Sequence, residues 1–92
     1  MILEKTMAPF YKLLSNTINL QNAANTVFNA KLVRIVAKAP LTITLANSGG
    51  QIGSILMNGN TEFVIQKKPT DTLSSSDNNA GNTLVVAIGF TN

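Results

Sequence analysis

The chain has no cysteine, no histidine and no tryptophan, and only 12% of its 92 residues are charged. Without cysteine there is neither a disulfide framework nor a thiol nucleophile. Without histidine as well, a Cys/His zinc site and imidazole acid–base chemistry are excluded. No run approaches the roughly 20 apolar residues that a transmembrane helix needs. The N-terminus, Met1-Ile2-Leu3-Glu4-Lys5, places its charges after its apolar residues, the wrong order for a secretory signal. No membrane association is expected, and the sequence reads as that of a protein made and kept in a cytoplasm, or assembled from one. What is present is apolar and neutral: 45% hydrophobic residues, with 12 Asn, 10 Thr, 6 Ser and 3 Gln. Such a chain is too apolar and too weakly charged for a disordered segment.

Residues 1–92 read as one small domain, a size at which a lone copy is marginally stable. Disulfides are excluded and metal ligands are scarce, so self-association is the remaining source of stability. The net charge of +3 is scattered over Lys5, Lys12, Lys31, Arg34, Lys38, Lys67 and Lys68, against Glu4, Glu62, Asp71 and Asp77. Nucleic-acid binders concentrate such charge on one face. The adjacent pair Lys67-Lys68, at the end of an expected strand, reads first as a solubilising sheet edge.

Residues 1–26 are ambiguous. Ile2, Leu3, Met7, Phe10, Leu13 and Leu14 can share a helical face, but Pro9 interrupts it, leaving room for a short helix that starts near that proline. Thr17-Ile18-Asn19-Leu20 alternates like a short strand, and a turn-rich link follows. From Val27 the pattern is β. Residues 27–39 form a long run, apolar on both parities and ended by Pro40; residues 41–45 alternate cleanly, and Asn47-Ser48-Gly49-Gly50 is a turn. Residues 52–57 and 61–67 are expected to make a hairpin around Asn58-Gly59-Asn60, with Ile55 opposite Phe63 and Asn60 left-handed. Residues 74–82 read as an exposed, mobile loop. The final run, Leu84 to Phe90, is apolar or small on both faces, as suits a strand paired deep in a sheet. Short strands with regular turns predict a mainly β fold, antiparallel, with about five or six strands in a small barrel or sandwich.

Catalytic machinery is not apparent. Asp71 and Asp77 are not brought together by spacing, and Ser74, Ser75 and Ser76 have no histidine to activate them. Asp77-Asn78-Asn79 supplies one carboxylate where a calcium loop needs several. Gly49-Gly50-Gln51-Ile52-Gly53 lacks the Lys-Ser/Thr ending and the following helix of a phosphate-binding loop. Phe63 and Phe90 fall on core-facing parities, leaving Tyr11 and Phe28 as exposed rings, too few for a base-stacking platform. No enzyme, cofactor or metal is expected.

The order from Leu32 to Leu73 carries a resemblance. Leu32-Val33-Arg34-Ile35-Val36 leads to Leu41-Thr42-Ile43-Thr44-Leu45, then to Ser48-Gly49-Gly50-Gln51-Ile52-Gly53-Ser54 and to Glu62-Phe63-Val64-Ile65-Gln66-Lys67-Lys68-Pro69-Thr70-Asp71-Thr72. These segments, fewer than half of the residues, resemble small β proteins of marine tailed phages and ocean metagenomes that are taken to be virion components. The resemblance implies an Sm-like barrel: an N-terminal helical segment within 1–26, then a strongly bent five-stranded antiparallel sheet over 27–92, with a small β-sandwich as the alternative. It also implies a non-enzymatic structural or assembly subunit, homo-oligomeric, docking onto other virion proteins and located in the virion or the host cytoplasm. The alternative function is an Sm-like ring binding RNA or single-stranded DNA, with Arg34, Lys38, Lys67 and Lys68 as contacts. The RNA-binding motifs of Sm proteins do not carry over, however. Met57-Asn58-Gly59 lacks the upstream aspartate, and Ile88-Gly89 has no neighbouring arginine.

Overall fold

The computed structural model describes residues 11–90. They form eight strands: β1 (Tyr11–Leu13), β2 (Ile18–Asn19), β3 (Leu32–Ala37), β4 (Leu41–Asn47), β5 (Gly50–Met57), β6 (Thr61–Gln66), β7 (Thr72–Ser75) and β8 (Thr83–Phe90). There is no helix among the described residues. The strands build two antiparallel sheets. In one, β8 lies between β3 and the short strands β1 and β2, with β6 beyond β3; in the other the order is β5-β4-β7.

The two sheets are halves of one bent ladder. β4 and β5 join through the turn at 47–50, where Gly50 takes a φ of 122° that a side chain would resist. Their register pairs Leu41 with Met57 at the far end. Three residues on each side, 38–40 and 58–60, then carry the chain across to the other sheet. There Ala37 pairs with Thr61 and the ladder continues unshifted to Leu32 and Gln66. Pro40 on one side removes a ladder donor, and Asn60 on the other takes a φ of 60°. Both favour a corner over a straight strand. β7 and β8 flank β4 and β3 in the same way.

Alternation then selects what lies between the layers. In β3 the residues Val33, Ile35 and Ala37 are wholly buried while their neighbours are half-buried. Ile35 sits between Phe63 and Val85, and Val33 between Ile65 and Ala87. Leu41, Ile43 and Leu73 face them from the second sheet, and Leu20 and Val27 close the core. Ser75 and Thr83, both buried, bond hydroxyl to hydroxyl at 2.8 Å, joining β7 of one sheet to β8 of the other.

Several expectations need correction. The small barrel is not closed: no hydrogen-bonded ladder joins β5 to β6 among the described residues, and the arrangement is sandwich-like. Eight strands in two sheets stand where five or six in one strongly bent sheet were expected, and the two open strands stay apart. For the same reason the hairpin around Asn58-Gly59-Asn60 does not form; β5 pairs with β4 and β6 with β3. Ile55 and Phe63 instead line one groove from the two separate sheets. The strand expected over 27–39 is confined to Leu32–Ala37. Val27, Phe28 and Asn29 instead make a left-handed turn with φ of 53°, 59° and 55°. That conformation costs roughly 1–2 kcal/mol per residue, so it needs local compensation. Asn25 Oδ1 accepts the Val27 N–H at 2.7 Å, Thr26 Oγ1 accepts from Asn29, and Val27 fills the core. Within the N-terminal segment, residues 11–13 and 18–19 are strands that pair with β8. The helix expected near Pro9 begins outside the described residues, and its continuation at 11–13 is strand. The loop expected over 74–82 is shorter, since Ser74 and Ser75 belong to β7 and pair with Thr44 and Ile43.

Candidate assembly interface

β5 is the most exposed long strand of the fold. It pairs with β4 on one side, and its other edge is free among the described residues. Ile52, Ile55 and Leu56 on it are 50%, 46% and 74% exposed, in contrast to the sealed apolar residues of β3 and β4. Residues 39–61, which span the whole β4–β5 hairpin, contain no charged side chain. A free edge offers unpaired N–H and C=O groups, and proteins usually guard such an edge with charge, proline or brevity. The other free edges carry guards of this kind. β1 has three residues and Lys12, β6 carries Glu62, and β7 has four residues and a bridge from Asn25 to Leu73.

The inward face of β5 is also incompletely covered. Ile55 and Gly53 pair with Ile43 and Leu45 on the same face of the sheet, yet Ile55 stays 46% exposed where Ile43 is sealed. An apolar groove of about 220 Å³ results, with Ile43, Leu45 and Ile55 on one wall and Phe63 and Ile65 on the other. Apart from Gly53 and Ser54 its lining is aliphatic and aromatic, so it suits apolar side chains.

The four residues expected as nucleic-acid contacts are not brought together. Arg34 on β3 pairs with Glu62 on β6, Nη2 to Oε1 at 2.6 Å and Nε to Oε2 at 3.3 Å, so its charge is matched in place. Lys38 is exposed at the corner, just past the Ala37–Thr61 pair. Lys67 and Lys68 lie beyond the opposite end of that six-residue ladder, roughly 20 Å away. Lys67 is not a solubilising edge residue; it is only 6% exposed. Its ammonium donates to the carbonyls of Lys68 and Pro69 at 3.3 and 3.4 Å. Burial pushes the Lys67 pKa below the ordinary lysine value, and the nearby Asp71 carboxylate opposes that shift. Asp71, also buried, accepts the Lys68 N–H at 3.2 Å and returns its own N–H to the Lys68 carbonyl. Together these bonds close the turn after β6. An open cleft of about 470 Å³ adjoins the turn, with Leu45, Asn47 and Ile52 on its far side.

The loop after β7 is held down by hydrogen bonds. Asp77 accepts the Asn79 N–H at 2.8 Å and the Asn82 amide at 2.9 Å, and these bonds hold its carboxyl below the ordinary aspartate value. Asn78 is bonded from both Gln21 and the Asn22 backbone, and Gly81 donates to Asn19. The loop is therefore tied to the N-terminal segment, and the Asp77 carboxylate is already engaged. No group of three or more metal-ligating side chains occurs among the described residues. Phe28 projects from the left-handed turn, 58% exposed, as its sequence position suggested. Tyr11 and Phe90 have no described side chains.

Sequence reasoning found the apolar character of residues 52–57 but paired them with residues 61–67 in a hairpin. No local signal marks the open edge, because the absence of charge from 39 to 61 suits a covered strand equally well. The burial of Lys67 and Asp71 had a faint signal: an aspartate three residues after Lys68, across a proline, is spaced to accept a backbone N–H in a turn. No protein-family model, curated protein or solved structure matches the chain.

Proposed function

We propose that this chain is a non-enzymatic structural subunit that works by homo-oligomerisation and by docking onto other proteins, consistent with the virion role its sequence resemblance implies. The observation that carries the reading is β5: an eight-residue edge strand with exposed Ile52, Ile55 and Leu56 and no charged residue. Exposed apolar edges of this kind are liabilities in a solitary protein and contact surfaces in an assembled one. The small size of the domain agrees, because a core this limited gains stability from a partner. Nucleic acid is the weaker partner, since Arg34 is paired and Lys67 is buried.

Size-exclusion chromatography with light scattering over a range of micromolar concentrations tests the proposal. A mass that rises with concentration, in multiples of the subunit, is expected. A folded species that stays monomeric throughout refutes it.

A further inference from the structure

We infer that β5 pairs antiparallel with β5 of a second copy about a two-fold axis at Ile55, so that two three-stranded sheets continue as one of six strands. This rests on the assembly reading above and names its partner and its surface.

Charge selects the occupant. A charged strand would find no counter-charge along residues 39–61. The chain as a whole carries +3, so two copies repel least where that charge is missing. The strand that matches a neutral, apolar edge is another neutral, apolar edge, and every copy brings one. An isologous contact of this kind closes on itself, so the exposed edge is used up without growing a fibre.

Geometry selects the register. Between Leu45 and Ala46 the β4–β5 ladder shifts, passing from Leu45–Gly53 to Ala46–Gln51, and Ile52 is the extra residue of a bulge. A bulge disrupts pairing locally, which leaves Gly53 to Met57 as the regular stretch of the edge, with Ile55 at its centre. Pairing about Ile55 sets Ser54 opposite Leu56 of the second copy and Gly53 opposite its Met57. Each Ile55 then lies beside its twin at the mouth of the apolar groove, and its exposed half is covered. Leu56, 74% exposed on the outer face, gains an apolar neighbour diagonally across the axis. Five paired residues make a ladder about 17 Å long, well short of the roughly 20–30 residues a side of a standard interface. The dimer is accordingly one that dissociates on dilution.

The native chain has no cysteine, so single introduced thiols report the register directly. Ile55→Cys is expected to yield a disulfide-linked dimer on mild oxidation at high micromolar concentration. Ser54→Cys alone and Leu56→Cys alone are expected to cross-link poorly, because each thiol is offset from its twin by two residues. Their Cα atoms lie about 8 Å apart, beyond the roughly 7 Å that a disulfide spans. An equimolar mixture of those two variants is expected to cross-link. Leu56→Lys brings two like charges together across the axis and is expected to abolish the dimer in light scattering, with an unchanged circular dichroism spectrum. If the unmodified chain oligomerises but Ile55→Cys does not cross-link, or Ser54→Cys alone links as well as Ile55→Cys, the pairing is overturned while assembly stands. A chain that is monomeric at every concentration overturns both.

Discussion

Removing the Ser75 hydroxyl tests how the two sheets are held together, because that oxygen sits at the seam between them. Ser75 is 1% exposed and Thr83 not at all. Ser75 Oγ lies 2.8 Å from Thr83 Oγ1 and also accepts the Asp77 N–H at 3.1 Å. Ser75→Ala breaks both bonds, each worth about 1 kcal/mol net, and strands the Thr83 hydroxyl in the core for about 1 kcal/mol more. The expected loss is about 3 kcal/mol, a large share of the roughly 5–15 kcal/mol that holds a small domain. Thr83→Val keeps the shape and leaves Ser75 bonded to Asp77, so about 1.5 kcal/mol is expected. In the double variant no hydroxyl is stranded and the shared bond is lost only once, so a total of about 2 kcal/mol is expected, about 2.5 kcal/mol short of the sum. Urea unfolding followed by circular dichroism measures all three, and Ser75→Ala should lower Tm by more than about 10 °C. Additive costs, or a Ser75→Ala loss no larger than that of Thr83→Val, would refute the two-bond account of the seam.

Three further outcomes follow from the same contacts. Asp77 has a folded pKa below its unfolded value of about 3.9, so its contribution is complete above that pH and lost as pH falls through the folded value. Protection of the Asn79 amide against hydrogen exchange, relative to its intrinsic rate, should fall as pH drops through that folded value, a step that Asp77→Asn should lack. Burial lowers the folded pKa of Lys67, so the unfolded state binds that proton more tightly. Stability should then rise as pH climbs from the folded value towards about 10.4. Asp71→Asn, by removing the opposing charge, should lower the titration midpoint of the Lys67 side chain followed by NMR. Gly50→Ala meets no atom within 4 Å but must adopt a φ of 122°. It should cost about 1 kcal/mol or more by thermal unfolding, and a neutral result would show that the turn relaxes.

What the sequence revealed depends on how local the determining physics is. Alternation placed Val33, Ile35 and Ala37 on one face, and Leu41 and Ile43 likewise, because burial on one side of a strand leaves a period of two. The doubly apolar run 84–90 was legible for a related reason: β8 has neighbours on both sides, and Val85, Val86, Ala87 and Ile88 are all buried. Pairing was not legible. Asn47-Ser48-Gly49-Gly50 and Asn58-Gly59-Asn60 carry the same turn chemistry, yet the first closes a hairpin and the second turns a corner. The choice depends on contacts between distant segments, above all the β3–β8 and β4–β7 pairings. Residues 27–29 misled for the opposite reason. Val27 and Phe28 favour strands, but the side chains of Asn25 and Thr26 supply acceptors that hold the left-handed turn.

The corner also explains why the candidate interface is β5. Carrying the 32–66 ladder from one sheet into the other leaves β5 and β6 at the edges of facing layers. A closed barrel would join those edges and cover Ile55 and Phe63 within one molecule. Here they remain apart, and the groove between them keeps Ile55 nearly half exposed. β6 tolerates its position because Glu62 and Arg34 hydrate its outer face, whereas β5 has no such residue. Of the two open strands, only one therefore has more to gain from protein than from water. A charge introduced on β5 should consequently reduce association, while removing the charge at Glu62 should not mimic it.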